Sequence, residues 1–441
     1  MRILTIGGGG RECAAVEAFC RAGSKVYAVM KNRNPGIMKM SEDFLLTDES
    51  NIPKILEYAE KNRIELAFVG PEAPLENGIV DALEGAGIPC ASPTKAASRI
   101  ETSKSFMREL VEKYDIDGNL GYASFDSSEG VRDYLESVNY EVVVKPIGLT
   151  GGKGVKVEGE HLHTIDDMMD YVHEIFDQNI GNAGVIIEEK AVGEEYTQMV
   201  FCDGKTIAPM PLVQDHKRAY EGDAGPNTGG MGSYSDADHL LPFVMKEERD
   251  ASLKILEQIV KAMSDGGCPY HGVMYGQFML TKDGPKIIEI NARFGDPEAM
   301  NVLPILEDSF EKICWDMANG TLSEDVRFAN KATVCKYVVP KGYGTVPEVG
   351  HEIRVDEDEI HRAGSRIYYA NVDIKDRAVI VTGTSRSIGI VGVDDSLESA
   401  DWNCETALRV VMSGGIRVRH DIGRRDLIKK KVDSITAISG V

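Results

Sequence analysis

VVVKPIGLTGGKGVKV, residues 142–157, sets a lysine at the end of one apolar run and another at the start of the next, with glycines between. Lys145 closes the first run and Lys153 opens the second, so the stretch predicts two strands joined by a mobile turn that can close over phosphates. A P-loop is excluded: that motif needs Gly-Lys followed by Ser or Thr and then a helix, whereas Lys153 precedes Gly154 and a second strand. A plain hairpin with solvated lysines is the simpler alternative, but it leaves the concentration of glycine beside Lys153 unexplained.

Working outward, VIIEEKAVGEEY (185–196) gives a further strand ending in Glu188 and Glu189, with Glu195 just beyond Gly193. A carboxylate at such a turn can accept hydrogen bonds from ribose hydroxyls, and the backbone near Glu189 to Ala191 can pair with a base. Alone, it reads equally as an acidic surface turn.

VMYGQFMLTKDGPKIIEINARFGDPE (273–298) reads as a hairpin. Glu289, Asn291 and Arg293 alternate and so share one strand face. A three-residue connection at 282–284, with Gly284 left-handed, sets Gln277 opposite Glu289. The oxygens of Gln277, Glu289 and Asn291 suit Mg²⁺ or Mn²⁺ and give no preference for zinc. QDHKRAYEGDAGPNTGGMG (214–232) packs Asp215, His216, Lys217, Arg218, Asp223 and Asn227 among glycines, as expected of a loop whose backbone meets a small polar ligand. His216 is given no catalytic task.

The first hundred residues alternate strands (3–6, 25–30, 65–70) with helices (11–22, 52–61, 77–86), which predicts a parallel twisted sheet. Glycines 7–10 could present helix-start N–H groups to a phosphate. They miss the dinucleotide fingerprint twice: Glu12 replaces its third glycine, and the second strand runs into Met30, Lys31 and Asn32 with no acid for a ribose. A nicotinamide-dependent oxidoreductase is therefore the disfavoured rival, and a non-catalytic nucleotide-binding scaffold is a second.

With 441 residues, 42% of them hydrophobic, the chain exceeds one core and predicts several packed units of mixed α/β content. A net charge of −22 opposes nucleic acid as a partner. No apolar run is long enough to span a bilayer, and the start reads as a strand in place of a signal peptide, so a cytoplasmic protein, monomeric or a small homo-oligomer, is expected. The eight cysteines form no C-x-x-C pair and are expected to be reduced thiols.

Taken in order, the glycine loop, VGPEAPL (69–75), ETSKSF (101–106), the 142–157 stretch, IEEKAVGEEY (187–196), GPNTGGMG (225–232) and IIEINARFGDPE (287–298) resemble the glycinamide ribonucleotide synthetases, enzymes of the ATP-grasp class. The resemblance runs to DIGRR (421–425). It implies a Rossmann-like pre-ATP-grasp domain at 1–102, an ATP-grasp body at 103–325 with a lid subdomain at about 122–192, and a small α+β domain at 326–441. It also implies joining of glycine to 5-phosphoribosylamine with conversion of ATP to ADP and phosphate; another purine-intermediate ligase of the class is the nearest alternative.

By the same resemblance Lys104, Lys145, Gly152 and Lys153 face ATP phosphates, Glu188, Glu189 and Ala191 the adenine, and Glu195 the ribose. Gln277, Glu289 and Asn291 hold the metal. Glu12 and Glu72 lie at the phosphoribosylamine, with Arg386 of TSRSIG (384–389) at its phosphate, and Gly9 and Asp296 are further substrate contacts. Asp215, Lys217, Asp223, Asn227 and Arg293 surround glycine, Arg293 and Lys145 being the catalytic pair. The chain departs from the resemblance in two places: Cys13 stands where the family's opening carries histidine, and Thr384 and Ser385 stand where it carries two glycines.

Overall fold

A computed structural model describes residues 1–150, 154–181, 184–375 and 379–440. Gly152 and Lys153 lie outside the described residues.

Strands Arg2–Ile6, Lys25–Met30, Asp43–Leu46 and Leu66–Val69 form a parallel sheet in the order third, second, first, fourth. Burial on both faces is why Leu66–Val69 is an unbroken apolar run. The order reverses between the first strand and the fourth, and a crevice opens beyond their carboxyl ends. Helix Gly10–Arg21 and helix Glu72–Glu76 begin there. The helix expected over 77–86 is Ile79–Gly85, and a further short helix, Glu72–Glu76, precedes it across the left-handed Gly78.

The lid is a second sheet, Tyr122–Phe125, Val185–Glu189, Val142–Pro146 and Lys156–Val157 in that order. Helices Val131–Ser137 and Ile165–Asp177 seal it over a core of its own that includes Val144, Val172, Ile175 and Ile187. The second strand expected at 153–158 is short, only Lys156–Val157.

The body is an antiparallel sheet of Ile207–Pro209, Glu194–Asp203, His271–Thr281 and Gly284–Asn291, backed by helices Lys104–Lys113 and Lys246–Asp265. The helical stretch that follows the hairpin is broken: Ala299–Val302 passes into a 3-10 turn at Leu303–Ile305, where Pro304 cannot donate to the ladder, and Phe310–Asn319 starts afresh on the Ser309 cap. A ring cluster of Phe19, Phe68, Phe201, Phe294 and Phe310 joins this body to the N-terminal sheet.

A third large sheet runs from Gln214–Asp215 and Gly232–Ser235 through Ala332–Pro340 to Ile388–Asp394 and Ser365–Tyr369. It crosses the expected boundary near 326, so the last part of the chain shares a sheet with the glycine-rich loop. The final helix, Arg425–Ser439, was not anticipated from the pattern; it packs back onto the body strands Glu194–Asp203 and His271–Thr281. Among the described residues no helix is long and apolar enough to cross a membrane, and the eight cysteines are free thiols.

Candidate active site

The three large sheets and the lid sheet meet around a cleft of about 650 Å³. Its wall on the body side is the hairpin. Gln277 does pair with Glu289, but the connection is the two residues Lys282 and Asp283, and a bulge beside Gln277 restores the register. Gly284 takes φ 91° at the turn. Asn291 Nδ2 donates to Glu289 Oε1 at 3.2 Å, and Arg293 Nη2 donates to Asn291 Oδ1 at 3.2 Å, so the three alternating residues form one chain of polar contacts. Burial opposes ionisation of Glu289, yet Lys217, the Asn291 hydrogen bond, Lys145 and Lys104 together hold its pKa below the ordinary value.

Gln277 Oε1 accepts from Lys217 Nζ at 2.8 Å and from Tyr275 Oη at 3.2 Å, while its amide donates to Glu195. The cluster is an anionic hollow: burial works against the Lys217 charge, but Glu195, Glu289, Asp215 and Glu298 raise its pKa. Oxygen donors that already draw an ammonium fit a hard divalent cation. No cluster of three or more His, Cys, Asp or Glu suited to a metal occurs among the described residues, because two members of this donor set are amides.

Toward the N-terminal sheet, Arg293 pairs with Glu101 (3.0 Å) and Glu72 (3.5 Å), and Arg11 pairs with Glu12 (2.6 Å) and Glu72 (3.4 Å). Burial opposes the Glu72 charge, but Arg293 and Arg11 hold its carboxyl at about 2. For Glu101 burial wins: despite Arg293 and the Ala292 N–H, its carboxyl is pushed up to about 7. Glu12 is buried and turned inward, accepting the Gly9 N–H at 2.8 Å. A Cβ at Gly7 or Gly70 would collide with that carboxylate at 2.8 Å or less, which is what the glycines there permit. Gly9 and Glu12 do not line the cleft, whereas Arg11 does. Cys13 is buried and does not line the cleft.

On the lid side Lys145 lines the cleft and donates to Glu188 Oε2 at 2.6 Å. Glu188 is fully enclosed and also pairs with Arg108; burial disfavours its charge, yet Arg108 and Lys145 hold it at about 2. The Glu188 carboxylate is thus a buried counter-ion to Lys145 and Arg108. Glu189 accepts the Gly121 N–H at 3.2 Å, and neither it nor Ala191 lines the cleft. Lys104 lines the cleft with its ammonium on the carbonyls of Pro146 (3.0 Å) and Gly148 (2.9 Å), at the root of the glycine turn. Glu160 of the lid meets Arg218 of the loop across the opening.

In the glycine-rich loop, Asp215 Oδ1 is buried without a hydrogen-bond partner, and burial followed by Glu298 raises that carboxyl well above its usual range. Asp223 also lines the cleft, with its carboxylate held by His216 Nδ1 (3.2 Å), Arg419 (3.0 Å) and Lys431 (3.0 Å) from the C-terminal side. Asn227 is exposed at the rim. Asp296 accepts from Tyr337 Oη and meets Arg386 Nη2 at 3.4 Å. Arg386 also donates to the carbonyls of Gly229 and Asp296 (both 2.5 Å) and lies over the Tyr337 ring, so most of its fork is occupied within the protein.

Residues 1–101 match the N domain of phosphoribosylglycinamide synthetase, 102–299 its ATP-grasp (A) domain and 333–425 its C domain. The chain belongs to that family. Among phosphoribosylglycinamide synthetase relatives, it is 47% identical over 435 residues to the phosphoribosylamine–glycine ligase of Methanosphaera stadtmanae, covering 98% of each chain. It is 48% identical over 433 residues to the ligase of the same name from Methanothermobacter thermautotrophicus, again covering 98% of each. A crystal structure of phosphoribosylamine–glycine ligase from Thermotoga maritima superposes with a TM-score of 0.82 at 25% identity, over 96% of this chain and 100% of that one. N5-carboxyaminoimidazole ribonucleotide synthetase from the same organism shares the fold at TM-score 0.63 and 15% identity, over 95% of this chain and 99% of that one. The chain is thus an ATP-grasp ligase.

Charged residues at the site that the sequence reading left without a role include Arg11, Glu101, Glu298 and Arg108. Arg11 directly precedes Glu12, and Glu101 and Glu298 stand inside quoted motifs, as charges next to assigned residues. Arg108 had no such signal: in KSFMRELVEK it occupies an ordinary amphipathic-helix position, yet its side chain is 0% exposed.

Proposed function

We propose that the cleft joins glycine to 5-phosphoribosylamine through a glycyl phosphate, with the pre-ATP-grasp unit (1–102), the ATP-grasp body (103–325, lid about 122–192) and the C-terminal unit (326–441) each supplying part of the site. ATP drives the ligation, and glycinamide ribonucleotide, ADP and phosphate are the products. The observation that carries this reading is that Lys145, from the lid, and the Glu289–Asn291–Arg293 chain, from the body, line one cleft.

A carboxylate resists attack by an amine until one of its oxygens becomes a good leaving group. Transfer of the γ-phosphoryl group to a glycine oxygen provides that group, and the ribosylamine nitrogen then displaces phosphate from the acyl carbon. Glu289, Asn291 and Gln277 would hold Mg²⁺ or Mn²⁺, which when bound offsets charge on the triphosphate and the transferring phosphoryl group. Lys145 and Lys104 supply positive charge from the other side, with Gly152 and Lys153 as the covering turn. Adenine pairs with the backbone of 189–191 and the ribose meets Glu195.

Asp215, with its orphan oxygen, accepts the glycine ammonium, a cation that relieves its crowding against Glu298. Arg293 and Lys217 face the carboxylate and the developing acyl phosphate, where fixed donors stabilise charge as it forms. Arg11, Glu72 and Asp296 meet the phosphoribosylamine. Closure of the lid keeps water from the acyl phosphate.

Mass spectrometry of the product formed from ATP, glycine and freshly made phosphoribosylamine tests the reading. Glycinamide ribonucleotide, absent when any one reactant is withheld, is expected; no product despite a folded protein and ATP binding overturns it.

A further inference from the structure

Arg108 is the most deeply enclosed arginine beside the cleft, and it touches three separate elements. From helix Lys104–Lys113 its Nε and Nη2 donate to both Glu188 oxygens, at 2.9 and 3.1 Å, on the lid strand Val185–Glu189. Its Nη2 also reaches the carbonyl of Ile287 at 2.9 Å, two residues before Glu289, and its Nη1 reaches Asn119 Oδ1 at 3.0 Å. Glu188 then accepts from Lys145 Nζ at 2.6 Å.

The charges of this buried triad sum to one positive. A Lys145–Glu188 pair alone would be neutral, and the ammonium would be held by its own counter-ion. Because the guanidinium fork already satisfies both oxygens of Glu188, one N–H of Lys145 suffices to fix its direction, and two donors with an uncompensated charge remain for an anion in the cleft.

We infer that Arg108 is a positioning residue for phosphoryl transfer: it neutralises Glu188 so that Lys145 is aimed, still charged, at the triphosphate, and it ties that aim to the hairpin carrying Glu289 and Asn291. The inference rests on the proposed meeting of Lys145 with ATP.

The test is steady-state kinetics of Arg108→Met, Glu188→Gln, the double variant and Lys145→Ala, with thermal unfolding of each. Arg108→Met raises the KM for ATP or lowers kcat by roughly tenfold to a hundredfold, the range a misplaced group costs, while the KM for glycine stays put. Arg108→Met/Glu188→Gln regains most of that loss, because a neutral amide no longer claims Lys145. Wild-type ATP kinetics in Arg108→Met, or losses that simply multiply in the double variant, overturn the inference. If Arg108→Met does not fold, Arg108→Lys serves: a single ammonium cannot span both oxygens, so an intermediate loss at ATP is expected and none overturns the inference. An Lys145→Ala enzyme with unaltered ATP kinetics would instead remove the underlying reading of Lys145.

Discussion

Arg293 Nη2 and Glu101 Oε1 lie 3.0 Å apart where the strand bearing Glu289 and Asn291 ends. The pair fixes the guanidinium against the cleft wall while Glu101 also accepts the Ala292 N–H at 2.7 Å. An arginine so held needs no reorganisation when charge develops beside it. Arg293→Ala is therefore expected to lower kcat by roughly 10²- to 10³-fold, as loss of a preorganised donor does. Glycine-dependent ADP release checks it, and near wild-type turnover would remove Arg293 from the chemistry.

Glu101 carries a pH signature. Its carboxyl, raised by burial to about 7, binds a proton more tightly folded than unfolded, so between the ordinary carboxylate range and pH 7 stability falls as pH rises. Glu101→Gln lacks this proton. Its unfolding temperature relative to wild type should rise between pH 5 and pH 8; a difference that does not change with pH contradicts the prediction.

Glu289→Ala removes the charged member of the proposed cation site. Losing several kcal/mol of charge stabilisation corresponds to a rate lower by on the order of a thousandfold or more. Calorimetric titration of Mn²⁺ into the protein with a non-hydrolysable ATP analogue should show weakened metal binding in the variant, and unchanged turnover at saturating Mg²⁺ would contradict the assignment.

Phe310 packs against Phe19 with ring centroids 4.5 Å apart, and against Phe68 at 5.8 Å, joining body to N-terminal sheet. Phe310→Ala should cost about 3–5 kcal/mol, the usual range for emptying a buried aromatic site. Urea unfolding measures this, and a loss under about 1 kcal/mol would show that the cluster collapses readily around the gap.

The periodic parts of the fold were legible in the sequence. The βαβ rhythm marked the parallel sheet, and Gln277 opposite Glu289 followed from alternation and a short turn, although through a bulge instead of a three-residue loop. Pro304, which cannot donate to a helical ladder, marks in the sequence where the helical stretch after Glu298 breaks. Helix Pro35–Met40 carried an Asn cap and a first-turn proline yet was too short to show a period. Roles that depend on tertiary partners were hidden. Nothing near Glu188 in sequence tells that its carboxylate is shared by Arg108 and Lys145, and nothing near Asp223 tells that Arg419 and Lys431 occupy it. Gly7 suggested phosphate contact, whereas its immediate use, like that of Gly70, is to admit the side chain of Glu12.

The central claim is that this cleft activates glycine by phosphorylating its carboxylate. Ligation with glycine bearing ¹⁸O in both carboxyl oxygens tests it directly. One labelled oxygen should appear in the released phosphate for each glycinamide ribonucleotide formed; unlabelled phosphate alongside the same product would contradict it.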